Sequence, residues 1–402
     1  MADTIIGYVK KYGDYTFAEK PMNEVDSLVL CQFSYLKFDG MVPGVHENRA
    51  FVSMRQLAAH ADYEHLFDDT RYEKNNRALF EAMLGSKRFG RMKMNCYINI
   101  VETEWETQFA AITFLLEDGT VYVAYRGTDE SIIGWKEDFN MAFLFPIPAQ
   151  EYSMQYLNMV GDRIWKPFYV GGHSKGGNLA VYAAMRCVDK VRDRIRKIYC
   201  MDGPGFREDA LEKCGYEKIA GRLVKILPHS SMVGMIFETD TRYRVVESKT
   251  FGLLQHDPYT WLVEEDHFVY VDELFSVSKM ANHTLNQWIL SLNEEQLRTF
   301  VDTVYQVVSV AKVDNLIEFA ADLGGNLRAV VSAMRDLDKD TKKVLKEMVR
   351  SLAVMSREGL RLPGARAQAQ SQSMPGGKGG GKGGKQEASV GPAGAGDRQE
   401  GK

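Results

Sequence analysis

The chain has 402 residues, 45% of them hydrophobic and 26% charged, enough to bury a large core in one sizeable domain plus additions. A formal net charge of −4, with no Lys/Arg block interleaved with aromatics, argues against a nucleic-acid partner. Five cysteines (Cys31, Cys96, Cys187, Cys200, Cys214) form no close pair and no C-x-x-C, which fits reduced thiols and supports neither a disulfide framework nor a metal site, so no cofactor is expected.

The first residues lack the charged start, long apolar stretch and small-residue cleavage site of a secretion signal. The longest apolar run, near residues 141–149, is too short to span a bilayer and contains Pro146 and Pro148. A cytoplasmic protein with no integral membrane segment is the expectation.

Residues 1 to about 110 are rich in aromatics and predict a strand over 27–33 and a helix around 78–84, without indicating a function. Residues 108–116 and 120–125 are β-rich runs joined by Glu117-Asp118-Gly119 and predict a hairpin. A helix is predicted over about 150–165, with Tyr152, Tyr156, Met159 and Val160 on one apolar face. Phe168-Tyr169-Val170 then reads as a strand that runs into Gly172-His173-Ser174-Lys175-Gly176, and Asn178 to Met185 reads as a helix. G-x-S-x-G between strand and helix is the pattern of a nucleophile elbow, a tight turn that strains the serine backbone and projects Oγ above the sheet.

Further strands are predicted at 198–201, 222–227 and 243–247. Strand, helix, strand with reactive groups at strand ends describes a mostly parallel sheet covered on both faces, the α/β-hydrolase arrangement. From about residue 271 the pattern turns to helices only: Asn293 with Gln296 reads as a cap, and further helices follow at about 314–335 and 341–358. Beyond Leu362 the chain is Gly, Lys, Gln and Ser with too few apolar side chains to offset ordering. The predicted organisation is therefore a hydrolase domain over 1–270, a helical extension over 271–362 and a disordered tail over 363–402.

A serine nucleophile needs a base, a carboxylate to orient that base and N–H donors for the oxyanion. Ser174 is the candidate nucleophile. In the order Ser, acid, His, the downstream histidines are His229, His256, His267 and His283. His256 is preferred as base because it lies in a turn-forming loop after the last strand candidate; His267 in an acidic segment is second, His229 stays open, and His283 falls inside a helix pattern. His173, beside the serine, reads as a packing residue.

For the acid, Asp202 ends the strand after the elbow helix, although Asp-Gly-Pro-Gly is also an ordinary turn starter. Asp257 is a weaker alternative, since adjacent side chains rarely face each other. At the next strand end, where a carboxylate would be expected, Ser230 and Ser231 stand instead. The backbone N–H of Lys175, at the start of the elbow helix, is one candidate oxyanion donor, and Thr128, after Arg126-Gly127, is the other, because glycine permits close backbone approach there and threonine can add a hydroxyl donor. Apolar stretches at 141–145 and 232–237 are either acyl-pocket wall or core.

Tyr125-Arg126-Gly127-Thr128, Trp135 and Asp138 further on, and Gly172-His173-Ser174-Lys175-Gly176-Gly177 together resemble the class 3 lipase arrangement. The closer resemblance is to a bacterial lipase-like α/β-hydrolase family of uncharacterised function in which Gly-His-Ser-Lys-Gly-Gly-Asn-Leu-Ala and Asp-Gly-Pro-Gly-Phe recur. It covers about residues 1–270. The resemblance implies Ser174 as nucleophile and Thr128 and Lys175 as oxyanion donors. It does not carry over the class 3 acid, whose place is taken here by Ser230 and Ser231; Asp202 resembles instead the placement in pancreatic-type lipases. Lys175 replaces the usual leucine and is expected to put an ammonium at the pocket mouth, where it either favours an anionic substrate or is solvated.

Two functions follow. One is an esterase or lipase-like acyl hydrolase acting on a small-molecule ester or lipid-like substrate. The other is a non-catalytic member that keeps the elbow for stability and binds a partner through its helical extension, a reading motivated by the missing late carboxylate.

Overall fold

Alternation of apolar and smaller residues along β-rich runs builds the centre of this fold. The computed structural model describes residues 2–298, apart from 48–49, 69, 71, 103, 105–106, 130–136, 139, 142–143, 239–241 and 294. In chain order its elements are helices α1 (Ile5–Tyr12) and α2 (Glu24–Phe33), strand β1 (Val52–Ser53), helices α3 (Met54–Ala58) and α4 (Glu73–Gly85), and strands β2 (Lys93–Glu102), β3 (Thr107–Leu115) and β4 (Val121–Tyr125). Next come α5 (Pro148–Arg163), β5 (Phe168–His173), α6 (Lys175–Arg186), α7 (Asp189–Arg192), β6 (Ile195–Met201), α8 (Glu208–Cys214), β7 (Leu223–Pro228) and β8 (Tyr243–Val246). The short strands β9 (Val263–Glu264), β10 (His267–Phe268) and β11 (Tyr270–Val271) precede α9 (Ser276–Ser291).

The main sheet has the order β1-β2-β3-β4-β5-β6-β7-β8-β11. Strands β4 to β8 pair in parallel, while the β1 to β4 side and the β8–β11 edge are antiparallel, so the sheet is mixed and the fold α/β. The predicted hairpin is β3–β4, closed at Gly119 with φ +82°, where the left-handed turn suits glycine.

Period-2 alternation sends successive side chains of β4 to opposite faces. Val121, Val123 and Tyr125 join the core beneath α5, α6 and α8, with Tyr156, Leu179 and Ala210. Tyr122 and Ala124 face the other way, into the core made with α1, α2 and α4 through Ile5, Leu28 and Phe80. The N-terminal residues thus cover one face and the crossover helices the other.

One predicted element is overturned: 27–33 is not a strand but the body of α2. The run looked β-rich because every residue from Val25 to Phe33 is buried, which erases the 3.6-residue period. Asn23 caps the helix, accepting from the Asp26 N–H while Asp26 accepts from the Asn23 N–H. Ser27 Oγ and Cys31 Sγ, one turn apart, both meet the Tyr122 hydroxyl, at 2.6 and 3.2 Å. Asp26 is also bound by buried Arg88, with Nε at 2.7 Å.

The boundary expected at 270 falls inside the sheet, because β11 pairs with β8. Helix α9 docks through Asn286, whose amide accepts from Phe237 N–H and donates to Met235 O, at 3.1 and 3.0 Å. Asn293 and Gln296 exchange the reciprocal capping bonds expected of them. The helices expected near 314–335 and 341–358, and the tail 363–402, lie outside the described residues. No helix among the described residues is long and apolar enough to cross a membrane.

Candidate active site

Strand β5 passes into α6 through Ser174, which sits at φ 58°, ψ −134°. A non-glycine residue there is strained by about 1–3 kcal/mol and persists only because its surroundings over-determine it. They do so by close approach. A Cβ on Gly172 would overlap the Gly176 carbonyl, and one on Gly176 would overlap the Tyr125 carbonyl of β4. The Ser174 N–H donates to Met201 O at 2.9 Å, tying the turn to the end of β6.

The structure brings Ser174, His256 and Asp202 together. His256 Nε2 lies 2.9 Å from Ser174 Oγ, and its Nδ1 lies 2.6 Å from Asp202 Oδ2. A carboxylate only accepts, so Nδ1 carries the proton and the Nε2 lone pair faces the serine. Ser174 is half-buried, while His256 and Asp202 are buried. Asp202 Oδ1 accepts from Ser231 Oγ at 2.5 Å and Gly234 N–H at 3.2 Å. Ser231, read from sequence as a gap in the acid's place, instead holds the carboxylate.

The His256 loop, a 3₁₀ turn over Gly252–His256, is pinned at its neighbour. Gln255 accepts from Ser230 N–H and donates to Thr250 O, both at 2.6 Å, and its carbonyl accepts from Trp261 Nε1 at 2.8 Å. His173 is more than packing: Nε2 donates to the His256 carbonyl at 3.0 Å, Nδ1 faces the Tyr35 hydroxyl at 3.2 Å, and the two imidazoles lie 4.6 Å apart. Nothing in the sequence pattern marks Tyr35 for this place.

The other candidates lie elsewhere. Asp257 Oδ1 caps the Tyr259 N–H at 2.9 Å. His229 packs on Phe275, and its half-burial lowers its pKa below the ordinary histidine value. His267 is exposed beside Asp266, and His283 is exposed on α9.

The Arg126-Gly127-Thr128 turn lies against the serine, since a Cβ on Gly127 would meet the Tyr35 hydroxyl, His173 O and the Ser174 Cβ. Thr128 Oγ1 donates to Asp138 Oδ2 at 2.6 Å. Burial pushes the Asp138 carboxyl up from 3.8 to about 6, against the pull of the Lys175 ammonium and the Thr128 hydroxyl.

Lys175 departs from expectation. Its ammonium is neither at a pocket mouth nor solvated: only 1% exposed, it donates to Glu137 Oε2 at 2.7 Å and Gln108 O at 3.1 Å and lies 3.6 Å from Asp138 Oδ1. Burial works against the charge, but Glu137 and Asp138 outweigh it and hold the ammonium above the ordinary lysine value. An anionic substrate is therefore not what this cation meets. The one clue in the sequence was a charged residue opening an otherwise small and apolar helix, which demands a buried partner. Among the described residues no cluster of His, Cys, Asp or Glu is arranged to hold a metal.

A search of curated proteins finds no match. Among solved structures, one described as "Crystal structure of M37 lipase" is similar at 15% identity, covering 52% of this chain and 68% of that one with a TM-score of 0.33, too distant to carry residue roles. The profile of the Mbeg1-like family matches residues 83–306, more than half of the chain and a span that includes Ser174, Asp202 and His256. The chain belongs to the Mbeg1-like family.

Proposed function

We propose that this chain is a serine hydrolase of esterase or lipase type that cleaves a carboxylic ester or related acyl bond. The observation that carries the reading is the 2.9 Å approach of His256 Nε2 to Ser174 Oγ, with the serine strained and half-exposed at its turn. In this reading His256 takes the serine proton as Oγ attacks the substrate carbonyl, and Asp202 holds the Nδ1–H tautomer and stabilises the imidazolium. The backbone N–H groups of Lys175 and Thr128 stabilise the oxyanion, the former at the positive end of α6. The tetrahedral adduct collapses to an acyl-serine as His256 protonates the leaving alkoxide. Water activated by the same imidazole then releases the acid and restores the enzyme.

The substrate class is a small-molecule ester or lipid-like acyl compound, and the thiols, all five free and buried, are compatible with a cytoplasmic setting. The Asp202 carboxylate beside His256 Nδ1 favours this reading over the non-catalytic one, which was motivated by the missing late acid. A fluorophosphonate probe tests the proposal: the folded full-length chain should be labelled at Ser174 and hydrolyse p-nitrophenyl butyrate, and Ser174→Ala should do neither. A folded wild-type chain that resists the probe would count against the enzyme reading.

A further inference from the structure

The charges behind the elbow have no part in the reaction as described. Lys175 and Glu137 are each 1% exposed, and an apolar pair of the same volume would usually be at least as stable there. Their geometry indicates what they do. Glu137 accepts Lys175 Nζ and Gln108 N–H through Oε2, at 2.7 and 3.0 Å, and Ala149 N–H through Oε1 at 3.2 Å. One carboxylate thus gathers the starts of β3, α5 and α6. Its neighbour Asp138 holds the Thr128 hydroxyl. Position 175 follows the candidate nucleophile directly, so the contacts run from the elbow through 137–138 to the turn that faces it.

We propose that Lys175 is a positioning residue for the oxyanion site: its side chain anchors the Glu137–Asp138 pair, and through Asp138 the Thr128 turn, against Ser174. The inference rests on the hydrolase reading and concerns the side chain, separate from the backbone N–H of the same residue. A leucine at this position could not make this link. The anchoring is electrostatic, so it has a signature that packing lacks. Lys175, Glu137 and His256 face Asp138, and Asp129 acts on Lys175 in addition to that pair. Replacing Lys175 by Met removes the cation that keeps Asp138 ionised, so Asp138 protonates at higher pH. Replacing Glu137 by Gln removes a neighbouring anion, so Asp138 stays ionised to lower pH.

The test follows fluorophosphonate labelling and p-nitrophenyl butyrate hydrolysis by the full chain from about pH 5 to 8, a window that spans the histidine and raised-carboxylate range. In Lys175→Met the labelling rate should fall about tenfold to a hundredfold, as for a misplaced catalytic group, with KM changed less than kcat. The acid limb should move to higher pH in Lys175→Met and to lower pH in Glu137→Gln. Limbs that stay in place, or that move the same way in both variants, overturn the inference. Should Lys175→Met fail to fold, Glu137→Gln decides alone, because glutamine with its oxygen in the place of Oε2 still accepts from the ammonium and from Gln108 N–H and gives up only the 3.2 Å bond from Ala149 N–H. A wild type that does not label removes the hydrolase reading and this inference with it; a labelled wild type with an unmoved limb in Glu137→Gln removes this inference alone.

Discussion

Asparagine at position 202 is the most discriminating single change, because the structure dictates which way its amide must point. Asp202 Oδ1 already accepts from Ser231 Oγ and Gly234 N–H, and both donors require an oxygen. In Asp202→Asn the amide oxygen stays with them, and the NH2 group replaces Oδ2 at the position 2.6 Å from His256 Nδ1. Nδ1 must then accept, so the ring proton moves to Nε2 and points at Ser174 Oγ. The proposed base is then present in the wrong tautomer. A change of that kind costs about 10⁴ in kcat, or about 5 kcal/mol of transition-state stabilisation. Stability should change little, because the amide fits the carboxylate's space and keeps its donors. Labelling kinetics and ester hydrolysis measure the loss, with circular dichroism to verify folding. Asp257→Asn is the control and should retain activity, since Asp257 caps a turn. Activity of Asp202→Asn within about tenfold of wild type would refute the assignment of Asp202 as the orienting acid.

Ser174→Gly should melt higher than Ser174→Ala, because both lose the hydroxyl but only glycine is relieved of the φ 58° strain. The expected difference is about 2–4 °C for each kcal/mol released, and equal melting temperatures would remove the strain argument. Asp138→Asn should flatten part of the pH dependence of stability. The folded carboxyl titrates at about 6 and the unfolded one at 3.8, so between these values the native state holds the extra proton. Stability is therefore full below about pH 4 and falls as pH rises toward 6, by at most about 3 kcal/mol, a loss the asparagine variant lacks. Urea midpoints at the two ends of that window check it, and parallel curves for variant and wild type would refute it.

The elbow was legible because glycine spacing reports a steric need that belongs to the chain locally. The β3–β4 hairpin was legible from its acidic turn with glycine, and the apolar runs read as strands at 198–201, 222–227 and 243–247 match β6, β7 and β8 to within three residues at each end. The carboxylate beside His256 was half legible: sequence places Asp202 at a strand end, but a turn former and a carboxylate that holds a histidine look alike until His256 folds back from 54 positions away. The part Ser231 plays beside Asp202 was not visible in the sequence, because a donor to a carboxylate leaves no spacing signature. Helix α2 was missed through its total burial, although Asn23 and Asp26 spelled its cap. The Lys175–Glu137 pair spans 38 positions, and only the fold brings the two together.

Because the chain steps in one direction across the sheet from β4 to β8, its connecting helices accumulate on a single side. The other side is left to the first ninety residues, most of which precede the family match at 83. A fragment trimmed to the matched span would retain Ser174, Asp202 and His256 yet bare Tyr122, Tyr199, Met201 and Ile226 to water, and it would lose Tyr35 from beneath His173. The span matched by the family profile is therefore smaller than the unit that must be expressed for the proposed chemistry to be assayed.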